Sequence, residues 1–117
     1  EKTPMEYFNN GEYDKAKIAF QNIKKKDSLD PSIREWVINS NGYRYLRDNE
    51  IEKAKEMFAI NIALYPHKSN VYDSMGDAFK KEEDTIKAIE FYKKALSINP
   101  ENRGAKRNLK RISKDNE

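Results

Sequence analysis

Apolar residues along the chain recur at steps of three and four: Ala16 with Phe20, Ala54 with Phe58, Ile86 with Ile89, Ala88 with Tyr92, and Ala105 with Leu109 and Ile112. That spacing puts each set on one face of a helix. The β-branched residues are scattered, with no strand-like clusters. Asp30 before Pro31 reads as an N-cap followed by a first-turn proline, Asp84 as the cap of the helix carrying Ile86 and Ile89, and Asn49 as a C-terminal stop. The pattern predicts helices at 3–9, 12–26, 31–48, 51–64, 69–81, 85–98 and 102–114.

The chain is also self-similar. Gly42, Tyr45, Ala54, Phe58 and Pro66 return as Gly76, Phe79, Ala88, Tyr92 and Pro100, each 34 positions further on. A fixed period of this size marks stacked helix pairs, each too small to bury its apolar face alone. Gly42 and Gly76 lack a Cβ and let the second helix of a pair approach closely, with Ala54 and Ala88 as the small surface expected to face them. Tyr45, Phe58, Phe79 and Tyr92 are expected to fill the space between pairs, and Pro66 and Pro100 to end one pair and redirect the chain.

One unit reads Tyr72, Met75-Gly76, Phe79, Ala88-x3-Tyr92 and Pro100. The other reads Ile38, Asn41-Gly42, Tyr45, Ala54-x3-Phe58 and Pro66. On these residues the chain resembles the tetratricopeptide-repeat family over nearly its whole length. Asn41, where the family usually has an apolar residue, and Asn61, where the second unit has Ala95, depart from the pattern and weaken the packing expected of the first unit. Tyr7, Gly11 and Ala16-x3-Phe20 form a degraded upstream copy, with most of its opening helix missing and four extra residues in the link through 25–30. The resemblance implies an all-α fold, a right-handed α-α superhelix of helix hairpins with a C-terminal capping helix. Its parts are a partial repeat at 1–30, repeats at 31–68 and 69–102, and the cap at 103–114.

Composition agrees with a thin, elongated core, because hydrophobic and charged residues each make up 37% and the mean hydropathy is −1.06. Four Gly and four Pro are too few for the turns of a sandwich or barrel. The absence of Cys excludes disulfides, thiolate metal sites and thiol catalysis and leaves the compartment open. No run approaches the roughly 18 apolar residues of a membrane span, and residues 1–10 hold no signal-peptide core. The chain therefore reads as soluble. It begins at Glu1 and not at Met, which leaves room for a leader or a preceding domain.

Candidate chemistry is sparse. The single His, His67, follows Pro66 in a turn and reads as an exposed residue, not a general base; with one His and no Cys the usual zinc sets cannot be assembled. No nucleophile elbow or Gly-rich phosphate loop occurs. Asp73 and Asp77, one helical turn apart, read as solvated charges and not as a carboxylate pair. Asp27, Asp30 and the run Glu82-Glu83-Asp84 read as caps and solubilising charge. Neither catalysis nor a cofactor is expected. A net charge of +3 is too balanced for bulk nucleic-acid or membrane binding. The basic residues Arg103, Lys106, Arg107, Lys110, Arg111 and Lys114 concentrate on the last helix, but no interleaved aromatic is there to stack on bases, which disfavours nucleic acid as a partner.

A protein or peptide partner fits better. The family resemblance implies that the first helix of each pair lines a concave binding side, through Trp36, Asn39, Tyr43, Leu46 and Arg47, then Asn70, Asp73, Asp77, Lys80 and Lys81, then Arg107 and Arg111. Trp36 and Tyr43 lie two turns apart and can act as anchors on one face; alternatively Trp36 packs under the missing first helix or the 25–30 link. The family's carboxylate clamp for chaperone tails is absent, since Ser40, Asn70 and Ser74 stand at the relevant places. The stretch 58–109, above all Asn70-Val71-Tyr72-Asp73-Ser74-Met75-Gly76-Asp77-Ala78 and Asn99-Pro100-Glu101-Asn102, resembles C-terminal tails of bacterial serine hydrolases of the esterase and penicillin-recognising types. That resemblance implies a covalently linked hydrolase domain before Glu1, an accessory or dimerisation role, and a bacterial cytoplasm or periplasm. The half-built first unit is expected to expose apolar surface at Tyr7, Phe8 and Tyr13, open to a missing domain or to a second copy in a homodimer.

Overall fold

Side chains of Thr3, Asp84 and Asn102 cap the starts of three helices, and the first helix of each pair ends in a turn of one recurring design. The computed structural model describes residues 2–115. It contains α1 (Pro4–Asn9), α2 (Tyr13–Lys26), a single 3₁₀ turn (Pro31–Ile33), α3 (Glu35–Arg47), α4 (Ile51–Leu64), α5 (Ser69–Lys81), α6 (Thr85–Ile98) and α7 (Arg103–Asp115). No strand occurs among the described residues. α1 packs on α2, α3 on α4 and α5 on α6; α2 and α5 both touch α4, and α7 closes on α6. The body measures 51 × 27 × 18 Å, the elongated shape expected of stacked pairs.

Three pairs share one turn. The amides of Glu12, Glu50 and Asp84 reach back to the carbonyls of Tyr7, Tyr45 and Phe79 at 2.9, 2.8 and 2.9 Å. Each is the six-to-one bond that ends a helix on a left-handed residue. That residue is Gly11 (φ 77°), Asn49 (φ 62°) or Glu83 (φ 67°). Asn49 therefore stops α3 as the sequence indicates, and Asp84 caps α6 by accepting from the Lys87 amide at 3.1 Å. Asp30 does not cap the long helix expected at 31–48. It accepts from the Ser32 amide at 2.8 Å and closes only the 3₁₀ turn, because Arg34 is extended (φ −61°, ψ 141°) and α3 starts after it.

The glycines meet aromatic rings, not alanines. A Cβ on Gly42 would stand 2.2 Å from Phe58 Cε1, and one on Gly76 would stand 2.5 Å from Tyr92 Cε1. Phe58 and Tyr92 thus lie inside their own pairs, where each is completely buried, and not between pairs as the spacing suggested. Ala54 and Ala88 are buried beside them. The joint to the first pair is also aromatic. Phe8, expected at an open end, is 1% exposed, stacks on Tyr45 at 5.5 Å and meets the edge of Tyr13 at 4.9 Å. At the other end Ala105 and Ile112 of α7 are buried with Leu109 packed beside them, and the six basic side chains face solvent.

A glutamate at φ 67° carries the left-handed penalty that a glycine avoids. Glu83→Gly is expected to raise stability by about 0.5–1 kcal/mol in chemical denaturation, with Glu83→Ala showing no such gain.

Candidate functional site

α3, α5 and α7 lie side by side, and polar residues one repeat apart join them. The Tyr43 hydroxyl donates to Asp77 Oδ2 at 2.5 Å across 34 residues. Ser74 Oγ donates to Asn39 Oδ1 at 2.5 Å. Asn108 Nδ2 on α7 donates to Asp73 Oδ1 at 3.1 Å and to Asp77 Oδ1 at 3.2 Å. The second oxygen contact of Asp77 comes from within its own pair, where the Tyr92 hydroxyl donates to Oδ1 at 2.6 Å. One carboxylate therefore ties α5 to α3, α6 and α7 at once.

Asn102 prepares the next step of the stack. Its Oδ1 accepts from the Ala105 amide at 3.0 Å and starts α7, while its Nδ2 donates to Ser69 Oγ at 2.8 Å and to Asn70 Oδ1 at 3.3 Å. A Cβ on Gly104 would stand 3.0 Å from Asp73 Oδ2, so the small residue there lets α7 approach the acidic pair.

Burial shapes the titration of this cluster. Asp73 is pushed up from the usual carboxylate range chiefly by desolvation; the Asn108 hydrogen bond opposes this, the Asp77 charge adds to it and Arg107 opposes it. The Tyr43 and Tyr92 hydroxyls are both pushed well above the usual tyrosine range. Burial is the leading cause for each, reinforced by the Asp77 charge and the hydrogen bond to it. Donors that stay protonated suit a carboxylate that accepts on both of its oxygens.

The expected site residues fall into two groups. Trp36, 68% exposed, and Arg47, Asn70, Lys81, Arg107 and Arg111 face solvent, with Lys80 half-buried. Trp36 is therefore not packed under another segment. Leu46 does not belong to a binding surface: it is 7% exposed and part of the core around Tyr45. Asn39, Tyr43, Asp73 and Asp77 are occupied by one another and by Ser74, Tyr92 and Asn108. The two aspartates are half-buried acceptors and not solvated charges, because helix stacking brings donors over them. Asn108 and the Tyr92 hydroxyl are the participants that sequence reasoning missed. The available signal was the period itself, since Tyr43 matches Asp77 and Ser74 matches Asn108 at a step of 34.

Among the described residues no cluster of three or more His, Asp or Glu could hold a metal ion, and His67 is exposed. No described helix is long and apolar enough to cross a membrane. The arrangement offers hydrogen-bonded helix joints beneath a layer of exposed cations and one exposed indole.

Comparison with known proteins agrees with this geometry. The model of the tetratricopeptide repeat family matches residues 69–102, which cover α5, α6 and the turn into α7. A chloroplastic tetratricopeptide repeat domain-containing protein of Arabidopsis thaliana, PYG7, is 27% identical over 90 residues; the match covers 77% of this chain and 30% of that relative's length. Among solved structures, the first tetratricopeptide domain of Spaghetti (RPAP3) bound to the HSP90 peptide SRMEEVD superposes with a TM-score of 0.63 at 22% identity, over 96% of this chain and 86% of that one. The second such domain of human RPAP3, in complex with the HSP70 peptide SGPTIEEVD, gives 0.62 at 19% identity, over 94% and 88%. Residues 69–102 thus form a tetratricopeptide repeat, and the described chain has the fold of tetratricopeptide domains.

If Asp77 is the joint, Asp77→Ala orphans two part-buried hydroxyls and is expected to cost about 2 kcal/mol in chemical denaturation. Raised tyrosine pKa values stabilise the fold below the unfolded value of about 10, and that stability is lost as pH rises beyond it. Tyrosinate absorbance of the native protein is therefore expected to stay incomplete until alkaline unfolding. The delayed part should shrink in the Tyr43→Phe, Tyr92→Phe double variant to the share of Tyr65, whose hydroxyl is also pushed up by burial.

Proposed function

We infer that the protein is an interaction scaffold that binds a peptide or protein segment along the face formed by α3, α5 and α7, without catalysing a reaction. The observation that carries this reading is the division of labour on that face. The acidic residues are consumed in holding the helices together, while Trp36, Arg47, Lys81, Arg107 and Arg111 stay exposed. Among the described residues these four cations make no ion pair within 4.0 Å. A ligand with acidic groups and one apolar side chain for the indole matches that surface. The likeness to domains solved with peptides ending in Glu-Glu-Val-Asp supports a peptide ligand as a class, although Ser40, Asn70 and Ser74 here do not reproduce the clamp chemistry.

An accessory or dimerisation module of a bacterial serine hydrolase is the second reading, resting on the run Asn70–Ala78 and on Asn99–Asn102. Asn70, Asp73, Ser74, Asp77 and Asn102 in those segments all serve helix joints, so a scaffold without any hydrolase accounts for them equally.

Titration of an acidic peptide library against the chain, followed by Trp36 fluorescence, tests the proposal. Arg47→Ala and Arg107→Ala, both at exposed positions, are expected to weaken the bound peptide by about tenfold together. Unchanged binding of every peptide would remove this face as the site. Tyr43→Ala is a poor probe because Tyr43 also holds Asp77.

A further inference from the structure

The link between the first two helix pairs is twice as long as the later ones and carries an exposed leucine. It spans residues 27–34, eight in all, against four at 65–68 and four at 99–102. The extra length is pinned in place. Asp27 Oδ1 accepts from the Leu29 amide at 3.0 Å, and the Asp30 amide donates to the Asp27 carbonyl at 3.1 Å. Asp30 Oδ1 accepts from the Ser32 amide at 2.8 Å and from the Ser32 hydroxyl at 2.7 Å. Ile33, which ends the 3₁₀ turn, is completely buried and fastens the link to the core. On this fixed loop Leu29 is 66% exposed, flanked by Asp27 and Asp30, and neither aspartate makes an ion pair within 4.0 Å among the described residues. A side chain presented by an ordered loop meets a partner with little further loss of backbone entropy.

Beside the loop lies a groove of the opposite character. About 430 Å³ open between Gln21, Lys24 and Lys25 of α2, Ser28 of the link, and Ala63 and Leu64 of α4. Ala63 and Leu64 make part of the lining apolar, and no carboxylate lines it. Lys24 is oriented there, because its ammonium donates to the Leu64 carbonyl and lies 4.5 Å from the centre of the Tyr65 ring. An ammonium has three N–H donors, so that bond leaves others for an acidic ligand. Leu29 does not fill the groove of its own chain, yet Ser28, the residue before it, is in the lining. Knob and groove are therefore neighbours on one surface. A two-fold rotation about a point between them sets each Leu29 against the groove of the other copy.

We propose that a second copy of this chain docks here as a two-fold pair, with Leu29 of each copy seated on Ala63 and Leu64 of the other. Asp27 and Asp30 then face Lys24 and Lys25 across the contact, so each copy supplies both halves of the charge complementarity. One leucine per copy is a small apolar contact, and the pair is expected to form and dissociate with concentration. The surface is separate from the face formed by α3, α5 and α7, and it does not use Tyr7, Phe8 or Tyr13.

Sedimentation equilibrium of the chain from about 10 μM to about 1 mM tests this. The average mass is expected to rise toward twice that of the monomer, less steeply as salt is added. Leu29→Ser and Lys25→Glu, on opposite sides of the contact and both at exposed positions, should each weaken association about tenfold or more. Trp36→Ala should leave it unchanged. Circular dichroism checks that each variant is folded. A chain that stays monomeric over the whole range overturns the proposal and leaves Leu29 to a different protein. A dimer unmoved by Leu29→Ser or by Lys25→Glu overturns it too, and so does one abolished by Trp36→Ala, which would give the contact to the other face.

Discussion

An aromatic ring seated on a residue without a Cβ is the contact on which the rest of the stack depends. In the α5–α6 pair Tyr92 places its ring over Gly76 and, with the same side chain, carries its hydroxyl to Asp77, the next residue along α5. Packing inside the pair and bonding between pairs thus meet at one point. The α3–α4 pair repeats the ring contact with Phe58 over Gly42. Phe58 has no hydroxyl, but its ring meets the edge of Tyr43 at 5.1 Å, and it is Tyr43 that reaches across to Asp77. A chain with so few apolar residues gains from this arrangement, because each buried aromatic serves two contacts.

The same economy explains the surface. A carboxylate that accepts from tyrosine and asparagine donors needs no basic partner, and Arg47, Lys81, Arg107 and Arg111 of the layer formed by α3, α5 and α7 are left exposed. Where the two units differ, the fold changes the direction of a bond and keeps its place. Ser69 reaches from α5 to the Ala95 carbonyl, whereas Asn61 reaches from α4 to the Glu35 carbonyl. Asn61 leaves its Oδ1 buried without a donor among the described residues, the one visible cost of that exchange. Lys24 on α2 also donates to the Leu64 carbonyl, fastening the first pair to the end of α4.

Much of the fold was legible because its signals are local. The step of 34, the Asp84 cap and the Asn49 stop are readable from neighbouring residues and agree with the structure. The break at Arg34 was not legible, since nothing in Asp30-Pro31 distinguishes a 3₁₀ turn from the start of a helix. The polar joints were misread for a different reason. On one helix Asp73 and Asp77 look like any exposed charged stripe, and only stacking at the repeat distance sets Tyr43 and Asn108 against them. Leu46 was misplaced because a family position was transferred to a residue that this chain buries in the core around Tyr45.

The most direct test of the ring-on-glycine constraint is a double-mutant cycle between Gly76→Ala and Tyr92→Leu, measured by chemical denaturation. With Tyr92 in place, Gly76→Ala should cost on the order of 1–3 kcal/mol, because the new Cβ has no room beside the ring. In the Tyr92→Leu background most of that cost should disappear, giving a coupling energy well above 0.5 kcal/mol. Strictly additive losses would contradict the account.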